Sequence, residues 1–266
     1  MTSSTNGGGL HRDRPLLGLI VKMPAAATVE LAGHAGFDYV LIDTEHGPSG
    51  MTELEHHIRA ADSAGIRSLV RVSDARSPDI LRALDTGAHG IVVPHIRSAD
   101  DVAAAAALVR YPPAGRRSLA LSTRAGRHGL RPLADHLDAA RRDVVLIGQL
   151  EDAEALERMP EILGTDGLDG VFIGPSDLSA SLGRPGETTH PAVVDALDRI
   201  RQAVIGTGLS LCMLAADERE AQRLVDSGAN LVFLNAPSLL AGRLSAVVTA
   251  LALDHEQGAR RWPTTT

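Results

Sequence analysis

The chain has 266 residues, 44% of them apolar, a size and composition that suit a single α/β barrel with a closed core. Aromatic residues make up only 2%, so that core must be built mainly from Ala, Val, Leu and Ile. A formal net charge of −7 argues against a nucleic-acid or anionic-membrane binder, which needs a basic face, and the single cysteine, Cys212, excludes an intrachain disulfide and fits a reducing cytoplasm.

Residues 1–14 are polar and glycine-rich and read as a disordered tail, and residues 255–266 (HEQGARRWPTTT) read as a flexible one. No apolar run approaches a membrane span. Between the tails, residues 15–254 alternate regularly. Runs rich in apolar and β-branched residues at 16–22, 37–43, 66–72, 89–94, 143–150, 170–173, 208–214 and 230–235 predict eight strands. Amphipathic patterns at 51–64, 98–110, 190–206 and 217–227 predict helices between them. Gly36, Gly65, Gly87, Gly206 and Gly228 stand at helix-to-strand handovers, where a left-handed residue ends a helix without a Cβ clash.

Eight such units predict a (β/α)8 TIM barrel; an open doubly wound sheet is the competing architecture, and the missing G-x-G-x-x-G run counts against its dinucleotide-binding version. Two longer insertions interrupt the rhythm. Residues 111–130 carry four arginines among prolines and glycines, and residues 174–190 follow the sixth strand.

Strand C-termini converge on one mouth in such a barrel, and polar clusters stand where the predicted strands end. Glu151 and Asp177 follow strands five and six. Two carboxylates there suit a hard divalent cation that takes its other ligands from water and substrate, Mg²⁺ or Mn²⁺ first and Co²⁺ as a further candidate. They also read as solvated loop acids. Gly174, Pro175 and Ser176 form a turn whose backbone N–H groups could hold a substrate carboxylate, or an ordinary strand-to-helix turn. Arg71 ends strand three in an apolar context, where it faces either a substrate oxygen or an internal carboxylate. His46, after Asp43 and Glu45, suits proton transfer near neutral pH, with Asp85 a candidate to orient it. Asp152 and Glu154 read as surface acids starting a helix. Among eleven histidines, His34, His56 and His57 read as helix-surface residues and His95 as lying near the mouth.

LIDTEHGP at 41–48, LVRV at 69–72, LDTGAHGIVVP at 84–94, RYPPAGRRS at 110–118, GQLED at 148–152 and VFIGPSDLSASLG at 171–183 together resemble the HpcH/HpaI family of metal-dependent, class II pyruvate aldolases. The resemblance runs in order over about residues 16–250. It implies Glu151 and Asp177 as metal ligands, Arg71 on the pyruvate enolate, His46 as the catalytic histidine and Asp85 as its acidic partner. It also implies Gln149 lining the pyruvate site, the amides of Ser176 and Asp177 holding the pyruvate carboxylate, and Asp43 and Glu45 near the metal through water.

The implied reaction cleaves or forms 4-hydroxy-2-oxo acids from pyruvate or a related 2-oxo acid and an aldehyde. An oxaloacetate decarboxylase, a macrophomate-synthase-like C–C bond former and a non-catalytic keto-acid-binding barrel are the alternatives. The chain departs from the family pattern on the acceptor side. Lys22, its only lysine, stands where a small residue is usual, and Cys212, Met213 and Asn235 replace glycine-bearing strand ends. Lys22 could contact an acidic or phosphorylated acceptor, pair with Asp43 or Glu45, or form an imine. The resemblance also implies a homo-oligomer, a hexamer built as a trimer of dimers that exchange the last barrel helix, for which the apolar segment 237–253 is the candidate; packing on its own barrel is the plain alternative.

Overall fold

The computed structural model describes residues 9–10 and 13–251. Eight parallel strands close in sequence order into a barrel. The units are β1 (Leu16–Val21), α1 (Ala26–Ala35), β2 (Tyr39–Asp43), α2 (Met51–Ser63), β3 (Arg67–Arg71), α3 (Asp79–Thr86), β4 (Gly90–Val93) and α4 (Ala99–Val109). They continue with α5 (Leu133–Asp143), β5 (Val145–Leu150), α6 (Ala155–Leu163), β6 (Gly170–Ile173), α7 (Pro175–Ser181), α8 (Pro191–Ile205), β7 (Ser210–Ala215), α9 (Glu218–Asp226), β8 (Leu231–Asn235) and α10 (Ala236–Ala250). Closure rests on β8 pairing with β1, from Leu16 opposite Leu231 to Ile20 opposite Asn235, which rules out the open sheet.

Strand residues alternate between two cores, because successive side chains leave opposite faces of a strand. Leu16, Ile20, Tyr39, Leu41, Leu69, Ile147, Phe172, Leu231 and Phe233 fill the barrel's interior. Val40, Ile42, Val70, Ile91, Val171 and Val232 face the surrounding helices. With few aromatics, the inner core depends on Phe233 and Phe172, whose rings meet at 5.3 Å. Phe233 lies over Gly18, where any Cβ would collide with its ring. Leu10, inside the segment read as a tail, is fully buried in this interior core. Residues 1–8, 11–12 and 252–266, and with them most of the first predicted tail and all of the second, lie outside the described residues.

Gly36, Gly65, Gly87 and Gly228 adopt positive φ as expected. Gly206 does not: its φ is −75°, and Gly208 two residues on takes the left-handed turn instead. The 111–130 insertion is irregular, with a 3-10 turn at Arg127–Gly129. His57, expected on a helix surface, is buried in α2 and its pKa is lowered by burial. Among the described residues, no helix is long and apolar enough to cross a membrane.

Candidate active site

The parity that fills the interior also selects what crowns it. Two residues beyond Leu41, Leu69, Ile147, Phe233 and Ile20 come Asp43, Arg71, Gln149, Asn235 and Lys22. Each continues an inward-facing row, so the barrel's apolar filling gives way to a polar layer at the mouth.

Asp43 and Arg71 sit side by side in register. Arg71 Nε donates to Asp43 Oδ1 at 3.0 Å, its Nη2 to Asp43 Oδ2 at 2.6 Å and its Nη1 to Gln149 Oε1 at 3.3 Å. The internal carboxylate considered for Arg71 is therefore present, yet it does not exhaust the guanidinium. Five N–H donors are available and three are used, so two remain for a ligand. Burial pushes the Asp43 carboxyl up, but the bonds and charge of Arg71, the backbone N–H of His46 and the charge of Lys22 outweigh it and hold it below its ordinary value.

Glu45 stands over this pair. Its Oε2 is buried without a hydrogen bond and lies 3.3 Å from Arg71 Nε and 3.8 Å from His46 Nε2. Burial raises its pKa, against the opposing charges of Arg71 and His46. The His46 ring is half exposed, and its backbone N–H is anchored on Asp43 Oδ1 at 3.2 Å. Lys22 Nζ reaches Asp43 Oδ2 at 3.5 Å, the ion pair that was one of its expected roles.

Glu151 is 1% exposed. Gln149 Nε2 donates to its Oε2, and the backbone N–H of His95 to its Oε1 at 3.0 Å. Burial, with the charge of Asp177 adding to it, pushes its carboxyl up to about 7 despite those bonds. Asp177 is exposed in the first turn of α7, close enough to Glu151 for their charges to interact. Gly174 is buried against Glu151, where a Cβ would run into the carboxylate. Ser181 Oγ accepts from the backbone N–H of Ala153 at 2.9 Å, tying α7 to the loop after β5.

This donor set fits a divalent cation. A buried carboxylate whose pKa is driven upward and a second carboxylate that repels it are relieved together by one positive charge. Among the described residues, no three His, Cys, Asp or Glu side chains cluster to hold a metal, so Glu151 and Asp177 would supply only part of a coordination shell.

Three expectations change. Asp85 is not brought to His46 within the chain: it lies in the last turn of α3, at the end of a helix running away from the mouth, and accepts from Arg117 Nη2 at 3.1 Å. Cys212 lies wholly inside the barrel and Met213 packs towards the helices, so neither borders the mouth. Burial pushes the Cys212 thiol up to about 12. Asp152 is no free surface acid, since it meets His95 Nδ1 at 3.0 Å.

His95 is the residue that pattern reading left without a role. It follows β4 with φ 53°, and its ring lies 3.6 Å from Glu151 and 3.9 Å from Glu45. Burial lowers its pKa, but Asp152, Glu151 and Glu45 raise it by more. A histidine directly after a strand-ending proline, in VVPH, was the available signal.

Residues 17–236 match the family described as HpcH/HpaI aldolase/citrate lyase. The chain belongs to this family. It is 34% identical over 241 residues to a pyruvate aldolase of Rhizobium etli, covering 91% of this chain and 94% of that one. It is likewise 34% identical to a 4-hydroxy-2-oxo-heptane-1,7-dioate aldolase of Escherichia coli over 242 residues, 91% of this chain and 92% of the other. The crystal structure of an HpcH/HpaI aldolase/citrate lyase family protein from Burkholderia cenocepacia superposes with a TM-score of 0.87 at 33% identity, covering 94% of this chain and all of that one. The chain is thus an enzyme on this family's carbon–carbon lyase scaffold.

Proposed function

We propose that this protein is a class II pyruvate aldolase, cleaving or forming 4-hydroxy-2-oxo acids through a pyruvate enolate and an aldehyde. The observation that carries the reading is the pairing, in one mouth, of Arg71 and two carboxylates suited to a cation, Glu151 and Asp177, with a half-exposed His46. Relatives bearing aldolase names at 34% identity support it and do not favour the decarboxylase, macrophomate-synthase-like or non-catalytic alternatives.

Glu151 and Asp177 would hold Mg²⁺ or Mn²⁺, with Co²⁺ as a third candidate; when bound, the cation withdraws electron density from the pyruvate carbonyl and so makes its methyl protons more acidic. Arg71 offers its two spare N–H donors to the oxygen where enolate charge develops, and Asp43 and Gln149 keep the guanidinium from rotating away. The first-turn amides of Ser176 and Asp177, with no acceptor inside α7, would receive the pyruvate carboxylate beside Gly174 and Pro175. In cleavage, His46 takes the 4-hydroxyl proton as the C–C bond breaks, with Glu45 steadying the imidazolium that results. The buried, unpaired thiol of Cys212 agrees with a cytoplasmic enzyme, and the apolar face of α10 with a homo-oligomer.

Incubation with Mg²⁺ or Mn²⁺ and pyruvate in D₂O, followed by NMR, tests the donor half whatever the acceptor. Methyl-proton exchange is expected, abolished by EDTA and reduced at least a hundredfold in Glu151→Ala. Exchange that survives both treatments yet disappears in Lys22→Ala would replace the metal with an imine mechanism.

A further inference from the structure

The donor site leaves two polar side chains of the mouth without a task. Lys22 and Asn235 end adjacent staves, β1 and β8, across the ring from the β5 and β6 staves that carry Glu151 and Asp177. Both continue inward rows, Lys22 from Ile20 and Asn235 from Phe233. Lys22 is a third exposed, and Asn235 Oδ1 is buried with no hydrogen-bond partner among the described residues. Glu151, Asp177 and Arg71 follow or end β5, β6 and β3, so the β8 and β1 wall is the part of the mouth that the donor site leaves to an acceptor.

How far the acceptor's charge can lie from its carbonyl follows from one oxygen. Lys22 Nζ is 3.5 Å from Asp43 Oδ2, and Arg71 Nη2 is 2.6 Å from the same atom. The two cationic nitrogens can be no further apart than those lengths end to end. One of them is assigned to the enolate oxygen. A short acceptor can place its anionic group on the other while its carbonyl carbon lies beside the enolate, and each added methylene carries that group further away by about 1.3 Å in an extended chain.

We propose that Lys22 and Asn235 form the acceptor wall and select a carbonyl compound whose carboxylate is directly attached to the reacting carbon, an α-oxo acid such as glyoxylate. This rests on the pyruvate-enolate reading and names its partner. In the synthetic direction the C–C bond forms between the deprotonated methyl carbon and the acceptor carbonyl carbon, whose oxygen takes up the proton held by His46 and becomes a hydroxyl. Lys22 pairs with the acceptor carboxylate, sharing its charge with Asp43, while the open Asn235 Oδ1 accepts from the new hydroxyl or a water beside it. Nothing is oxidised or reduced.

The test compares aldol kcat/KM for glyoxylate, glycolaldehyde as its neutral two-carbon counterpart and 4-oxobutanoate, with the D₂O exchange of pyruvate measured on the same preparations. Wild type is expected to favour glyoxylate over both others at least tenfold. Lys22→Met should cut the glyoxylate-to-glycolaldehyde ratio at least tenfold, mainly through the KM for glyoxylate, and Lys22→Arg should keep it. Asn235→Asp, nearly isosteric, sets a carboxylate on the same wall and should cut the ratio as Lys22→Met does, which covers the case of a Lys22 variant that fails to fold. A ratio unchanged within twofold in Lys22→Met or Asn235→Asp, or a tenfold preference of wild type for 4-oxobutanoate, overturns the proposal while leaving the enolate reading intact. Wild type that exchanges no methyl protons overturns both.

Discussion

Arg71 and Glu151 show how burial acts on opposite charges in one small volume. Arg71 is buried beside a carboxylate that satisfies it in two places, so its charge is fixed and aimed. Glu151 is buried as deeply but receives only an amide, one backbone N–H and the charge of His95, while Asp177 repels it. The metal-free protein therefore carries a group whose folded pKa, about 7, stands above its ordinary 4.5. Such a group stabilises the fold fully below the lower value and loses that contribution as pH rises through the upper one. With EDTA present, urea unfolding between pH 5 and 8 should show wild type losing stability relative to Glu151→Gln, by on the order of 3 kcal/mol across the range. Adding Mn²⁺ at pH 8 should reverse the loss in wild type alone, because the cation needs the ionised carboxylate. Parallel pH curves for the two proteins would show that burial does not raise the Glu151 pKa, and equal responses of the two to Mn²⁺ would remove Glu151 from the metal site.

At the scale of elements, the eight strands were legible because their apolar runs are short, bounded by glycine and rich in β-branched residues. Their ends were legible because the apolar row stops at an acid, an arginine or a glutamine in the same parity. What sequence could not supply was the direction a returning helix takes. Asp85 belongs to a motif that contains site residues in the family pattern, yet α3 has turned away from the mouth by the time it reaches that position, and Arg117 from the 111–130 insertion holds it there. Cys212 and Met213 miss the mouth for a similar reason: register decides the layer, and Cys212 pairs with Leu231, four residues before Asn235, the last inward residue of β8. Register also makes Gly18 a demanding position. It pairs with Phe233, whose ring occupies the space a side chain would need, and the ring is fully buried. Gly18→Ala should destabilise the barrel by about 1–3 kcal/mol through overpacking. A urea midpoint unchanged from wild type would show that the inner core can shift Phe233 without cost.

For the whole molecule, the barrel is closed by strands on the inside but unevenly covered on the outside. Helices α2, α4, α6 and α8 each bury an apolar stripe against the staves, whereas α10 buries only Ala236. Leu240, Leu244 and Val247 follow one another at spacings of four and three, which places them on one face of that helix, the capping Leu251 comes four residues further on, and all four are exposed. A monomer in water rarely leaves so continuous an apolar stripe uncovered, while a stable subunit contact removes about 800 Å² from each partner. The stripe is expected to be covered by a second copy of the chain, which is how the segment 237–253 would serve an oligomer. Sedimentation equilibrium should then give wild type a mass that is a multiple of 27.9 kDa. Leu240→Asp combined with Leu244→Asp should lower that mass, since neither aspartate can be desolvated without a partner. Because α10 begins immediately after Asn235, loss of the contact should also weaken the KM for the acceptor, whereas exchange of pyruvate protons reads the far side of the mouth. A double variant that keeps the wild-type mass would show that α10 is not the contact, and a monomeric wild type would show that the stripe is simply left in water.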